Sequence, residues 1–172
     1  MDVWTEAGPG AFHYTVAGEG GSESIRSKVF RALLETERKS WNAGGHDRSG
    51  ITPQNYNFAD EVAPADGLTR LGVKARRKDV LLVDGSILLQ PEDGDLVLLE
   101  GKLSKAPSFW TRRVHIVRRY SRVSGVRVPV ALESVADIVL YGRATLTMTY
   151  QYESINGRRI GGAPIQAAAA VR

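Results

Sequence analysis

The last third of the chain alternates apolar and polar positions. In ATLTMTYQY, Ala144, Leu146, Met148, Tyr150 and Tyr152 stand against Thr145, Thr147, Thr149 and Gln151, the period-two pattern of a half-buried strand. The run before it, VRVPVALESVADIVLY, puts Val128, Val130, Leu132, Ala136, Ile138 and Leu140 on one face and Glu133 and Asp137 on the other, with Pro129 near its start. Ser124-Gly125 turns the chain before this strand, Gly142-Arg143 turns it afterwards, and Asn156-Gly157 is the strongest hairpin signal in the sequence. Upstream, from about residue 70, LGVKARR, KDVLLVDGSILLQ and LVLLEGKL are further strand-like runs, with PEDGD and SKAPS as breaks and the turn-forming pair Asp84-Gly85 inside an apolar run. Strands joined this tightly are antiparallel neighbours, because a parallel crossover takes roughly a dozen residues or more.

The N-terminal part reads differently. AFHYTVAG, 11 to 18, is a first strand running into glycines. In the following segment Ile25, Val29, Leu33 and Phe30, Leu34, Trp41 recur at helical spacing, which predicts an amphipathic helix over about 25–41, stopped by Asn42, Gly44 and Gly45. A second-ranked reading makes 24–30 a strand and starts the helix near Arg31. Residues 42–67 form a long connection holding a short strand near Tyr56 to Phe58. The fold class is therefore mainly β (α+β). The expected architecture is a curved antiparallel meander of about seven or more strands over about 70–160, with the helix packed on its concave face, in a single domain over 1–160, and with 161–172 as a loose tail.

Composition adds limits. With 172 residues, 42% of them hydrophobic, the chain is long enough to bury a core without cross-links. Having no cysteine, it has no disulfide framework and no thiolate chemistry. No apolar run is long enough to span a bilayer, and MDVWTEAGPG lacks the pattern of a secretory leader. The net charge of +4 hides a local feature: no acidic residue lies between Glu100 and Glu133, while eight basic ones do. In SFWTRRVHIVRRYSR, 108 to 122, the pleat sends Arg112, Arg118 and Arg122 to one side and Arg113 and Arg119 to the other. A nucleic-acid surface would gather its cations on one face, so this partner is not expected. Cross-strand ion pairs to Glu100, Glu133 and Asp137 are the structural expectation. An anionic headgroup near Trp110 and Arg112 is the functional one, which leaves a membrane-associated surface open.

Candidate chemistry is sparse. His13, His46 and His115 have no metal-ligand spacing, GEGGSES lacks the spacing of a phosphate-cradling loop, and no GxSxG elbow is present. Glu133 and Asp137 lie four residues apart on a strand, roughly 13 Å, which is too far for paired acid–base work. No catalytic residue, metal or cofactor is predicted, and the chain is not expected to be an enzyme.

Residues 76–157 resemble the C-terminal part of bacterial exported proteins related to the outer-membrane lipoprotein-sorting superfamily, the LolA-like half-barrels. The resemblance rests on the D-G-x-I start at Asp84, L-V-x-x-E-G at Leu96, K-x-P-S-F-W at Lys105, R-x-Y-x-R-V-x-G-V-x-V-P from Arg118, G-R-x-T-L-x-M-x-Y from Gly142, and NYNF at 55–58. It implies a half-open barrel, an extracytoplasmic (periplasmic or secreted) location for a mature fragment without its signal peptide, and binding of acyl chains, lipoproteins or another apolar partner without enzyme activity. A cytoplasmic location stays open on the sequence. Alternation nominates Leu98, Val114, Ile116, Leu132, Ile138, Leu140, Leu146, Met148 and Tyr150 for the inward, ligand-binding face, with Trp110, Arg112 and Arg118 near a mouth for an anionic headgroup. The alternative is an envelope interaction or scaffold module with a closed core, whose basic strand docks an acidic protein.

Overall fold

In a computed structural model, the residues described are 2–8, 11–18, 48–62, 64, 67–140 and 142–160. The chain divides into two compact units, Met1–Ile51 and Thr52–Arg172. In the first, β1 (Asp2–Gly8) and β2 (Ala11–Gly18) form an antiparallel hairpin. The second strand was expected and the first was not: DVWTEAG is short, and its link to β2 through Pro9 and Gly10 is the only sign of a hairpin there. The expected helix over 25–41, its strand alternative over 24–30 and the tail 161–172 lie outside the described residues.

The second unit is a seven-stranded antiparallel sheet in strict sequence order. Its strands are β3 (Tyr56–Asp60), β4 (Thr69–Ala75), β5 (Val83–Leu89), β6 (Leu96–Leu103), β7 (Thr111–Val123), β8 (Val126–Ile138) and β9 (Gly142–Thr149). A further two-stranded hairpin, β10 (Ser154–Ile155) with β11 (Arg158–Arg159), follows. The turn signals behave as their chemistry dictates. Ser124 and Gly125 both take positive φ, 49° and 82°, as do Asn156 and Gly157 at 51° and 75°, the conformation that matches a two-residue turn to the twist of its strands. Asp84-Gly85 is different: β5 runs straight through it.

Directly paired residues share a face of the sheet. Following the register from Tyr56 through Ala75, Phe58 through Val73 and onward gives one apolar face that crosses all seven strands. It carries Leu71 and Val73 on β4, Val83 and Ile87 on β5, Leu99 and Leu103 on β6, Val114 and Ile116 on β7, Leu132 on β8, and Leu146 and Met148 on β9. Val73, Val83, Ile87, Leu99, Val114, Ile116 and Leu132 are buried, so the core lies on this side. The other face is a ladder of charges.

Two glycines interrupt the apolar face at its centre. Gly85 pairs with Gly101, and a Cβ on Gly85 would stand 2.0 Å from the Glu100 carbonyl oxygen, while one on Gly101 would stand 2.4 Å from that of Asp84. The two backbones thus approach where no side chain fits, one of the uses of glycine within a strand.

Candidate ligand face and basic tip

The apolar face changes in character along the sheet. At β5 and β6 it is closed, with Val83, Ile87 and Leu99 almost inaccessible. On the edge strand β9 the alternation persists, but Ala144, Leu146 and Met148 are only half-buried while Thr145, Thr147 and Thr149 are exposed. Apolar surface is therefore left accessible at this edge.

The same face holds polar groups toward one end. Arg118 on β7 pairs with Leu99 on one side and Leu132 on the other, which places a guanidinium in an apolar row. Tyr120, Tyr150 and Arg118 all lie near enough to Tyr152 to act on its ionisation. Burial pushes the Tyr152 phenol far above the ordinary tyrosine range, Tyr150 adds to this and Arg118 opposes it. The hydroxyl of Tyr152 donates to the Pro129 carbonyl at 2.7 Å. Tyr56 is likewise raised by burial, countered by the Val83 amide, which donates to its hydroxyl oxygen at 3.1 Å. Arg118 thus stands among phenols on an otherwise largely apolar side of the sheet.

The opposite face ties most of its charges together. Arg70 reaches Glu61 at 2.9 Å and Glu100 at 2.6 Å, and Arg119 reaches Glu133 at 3.1 Å. At the β5–β6 end, on the Arg118 side of the pleat, Arg122 pairs with Asp93 at 2.7 Å and with Asp95, which Arg127 also contacts. Cross-strand ion pairing was expected, but Glu100 serves Arg70 on β4 rather than an arginine of β7. Asp95 and Asp93, in the β5–β6 connection, take up Arg122.

Asp84 is the buried member of this network. Burial is the strongest single influence and opposes its ionisation. The Lys74 ammonium at 2.9 Å, the Ala75 amide at 2.9 Å and Lys78 together outweigh burial and hold the carboxyl below its usual range. A depressed folded-state pKa gives stability that is present above the unfolded value and lost as pH falls through the folded one. Asp84→Asn is expected to cost about 1–3 kcal/mol at neutral pH. Below about pH 4 the gap between variant and wild type should narrow. Urea midpoints measured across that range check both statements, and a gap independent of pH would contradict them.

The antiparallel order also sorts charge by end. The β4–β5, β6–β7 and β8–β9 connections share one end of the sheet, and the β3–β4, β5–β6 and β7–β8 connections share the other. The first end carries Arg76, Arg77, Lys78, Lys105, Arg112, Arg113 and Arg143 against Asp79 and Asp137, whereas the second carries Asp60, Glu61, Glu92, Asp93 and Asp95 against Arg70, Arg122 and Arg127. At the basic end a turn is closed by the Thr111 amide donating to the Ser108 carbonyl at 3.1 Å, with the two hydroxyls 3.0 Å apart. Phe109 and Trp110 occupy its two corner positions, ring centroids 4.3 Å apart and 80% and 49% exposed. The Val139 amide donates to the Trp110 carbonyl at 2.8 Å, which brings the β8–β9 turn alongside. There Leu140 is 87% exposed at a φ of 70°, a left-handed conformation that costs a leucine roughly 1–2 kcal/mol.

The structure sorts the sequence-nominated residues into groups. Val114, Ile116, Leu132, Leu146 and Met148 share the apolar face, and Ile138 ends β8 opposite Thr111 and Gly142. Tyr150 follows β9 directly, its amide donating to the Val130 carbonyl at 3.0 Å. Leu98 does not join them. It pairs with Leu88 and Arg119 on the charged face, and Leu99 takes the place assigned to it. Leu140 is not in a strand at all, because the chain turns at Val139. Trp110 and Arg112 meet at the basic tip, where Arg112 is the extra residue between the pairs Thr111–Ile138 and Arg113–Asp137. Arg118 lies six positions further along β7, roughly 20 Å from Arg112 at strand spacing, so the three do not form one mouth. Sequence reasoning left out Phe109, whose position in a Ser-Phe-Trp-Thr turn was the available signal.

Among the described residues no group of three or more His, Asp or Glu side chains is placed to hold a metal ion, and no helix is long and apolar enough to cross a membrane. No protein-family model, curated protein or solved structure matches this chain.

Proposed function

We propose that the protein is a non-enzymatic, extracytoplasmic binder of a hydrophobic ligand, an acyl chain of a lipid or of a lipidated protein, in the manner of the LolA-like half-barrels. The observation that carries this reading is the one-sided sheet. One face is apolar across seven strands, its β9 edge keeps Leu146 and Met148 half-exposed, and Arg118 with Tyr120, Tyr150 and Tyr152 supplies a polar end suited to a carboxylate or ester headgroup. The close approach of Gly85 and Gly101 supports a coiled sheet of half-barrel form.

The closed-core alternative, an envelope scaffold that docks an acidic partner, draws support from the deep burial of Val83, Ile87 and Leu99. The two readings respond differently to a charge placed on the edge strand. Met148→Glu should leave a folded protein, because the site is half-buried on an edge, and should weaken binding of a fluorescent long-chain fatty acid by at least about tenfold. Wild-type affinity in a folded Met148→Glu protein would contradict the placement.

A further inference from the structure

We propose that the basic end of the sheet is a docking surface for an anionic phospholipid bilayer, with Phe109, Trp110 and Leu140 entering the interfacial layer and Lys105, Arg112 and Arg113 contacting phosphates. This stands independently of the ligand proposed for the apolar face.

The turn geometry is the first argument. Phe109 and Trp110 occupy the corners of a tight turn, positions that polar residues and glycine fill at no cost, and their rings pack on each other while 80% and 49% exposed. Leu140, in the adjoining turn, combines near-complete exposure with a backbone conformation that favours glycine or asparagine. Neither turn needs these side chains for its fold. The Val139–Trp110 hydrogen bond joins the two turns, so that three exposed apolar side chains share one end of the sheet.

Charge complementarity selects the occupant. Lys105, Arg112 and Arg113 are exposed and make no ion pair among the described residues, and Arg143 has only a loose contact with Asp137 at 3.7 Å. Arg70, Arg119, Arg122 and Arg127 are paired with carboxylates, whereas these surround the aromatic tip. An aromatic point ringed by cations matches a headgroup layer, where indole rings settle and each basic side chain gains from anionic lipid. An acidic protein would satisfy the cations, but it would not need two turns of exposed apolar side chains.

The test is co-sedimentation of the full chain with phosphatidylcholine vesicles, with and without phosphatidylglycerol. Binding is expected with the anionic vesicles, at least about tenfold weaker with neutral ones, and falling as salt rises to physiological strength. Phe109→Ser combined with Trp110→Ser should lower partitioning at least about tenfold with unchanged thermal stability. Leu140→Gly should weaken partitioning while leaving stability equal or higher. Met148→Glu should partition as the wild type does, which separates docking from ligand uptake on the apolar face. Failure to sediment with anionic vesicles would overturn the proposal. So would equal binding to neutral vesicles, or full binding by the folded tip variants.

Discussion

Replacing Gly101 by alanine is expected to abolish or nearly abolish the folded state, at a cost of about 4 kcal/mol or more. The added Cβ would meet the Asp84 carbonyl oxygen at 2.4 Å, the Gly85 Cα at 2.7 Å and a Val83 methyl at 2.8 Å, and Gly101 itself has a φ of 153° that side chains rarely adopt. Gly85→Ala is expected to be as severe, with contacts of 2.0 Å and 2.6 Å to the backbone of Glu100 and Gly101. Because the obstructing atoms are main chain, relief means prising β5 from β6 at the centre of the sheet, where the ladder hydrogen bonds are buried. Gly94→Ala is the control. Its φ of 69° is also positive, but no atom lies within 4 Å of a Cβ there, so only the left-handed penalty of about 1–2 kcal/mol applies. Urea unfolding of the three variants, with circular dichroism to detect loss of the sheet, checks the ranking. A Gly101→Ala protein as stable as Gly94→Ala would show that the two strands do not approach as closely as described.

Tyr56 is expected to be the next most sensitive position. It is 1% exposed, and its ring lies at the start of the edge strand β3 while its hydroxyl reaches across to accept from the Val83 amide. Its carbonyl accepts from Arg76 Nε at 3.1 Å, and the neighbouring Asn55 accepts through its carbonyl from the Arg76 amide and through its side chain from Arg77. This corner fixes the β4–β5 connection, where Leu82 is fully buried and Ser104 bridges to Asp79 through both donor and acceptor contacts. Tyr56→Ala removes the ring and the acceptor together and should cost about 3–5 kcal/mol. Tyr56→Phe keeps the packing but leaves the Val83 amide without its partner in a buried place, and about 1–3 kcal/mol is expected. Thermal or urea unfolding distinguishes the two. Equal losses in both variants would mean that the hydroxyl, not the ring, anchors the corner.

Much of the meander was legible because β9 alternates cleanly and the strands from β7 to β9 are bounded by residues that favour a turn. Ser124-Gly125 and Asn156-Gly157 could take positive φ cheaply, and they do. Where the pattern is degenerate the sequence is silent. In Leu96-Val97-Leu98-Leu99 every position is apolar, so period two cannot choose a face, and the choice of Leu98 over Leu99 went the wrong way. Asp84-Gly85 carries the same dipeptide signal as a hairpin turn, yet its glycine is there to admit a neighbouring backbone. Only knowledge of the partner strand, Gly101 in particular, separates those two uses.

The candidate site was readable to the same extent. Val114, Ile116, Leu132, Leu146 and Met148 follow from alternation alone. The alternation also ran on through Leu140, because an apolar residue in a turn looks like one more inward position until the register ends the strand at Ile138. The bulge at Arg112 and the one near Val130 shift pairing by a residue each; Pro129 marks the second, and no local signal announces the first. The partition of charge between the two ends is a consequence of strand order, so it becomes visible only when all seven strands are placed.

The central claim is that the apolar face takes up an acyl chain. Native mass spectrometry of the purified full chain, before and after incubation with a long-chain fatty acid, tests it most directly. The account predicts a discrete one-to-one adduct that is lost on solvent extraction, regained on incubation and much reduced in Met148→Glu. A clean unliganded mass under every condition, or an adduct indifferent to Met148→Glu, would contradict it and leave a closed core whose surfaces alone do the work.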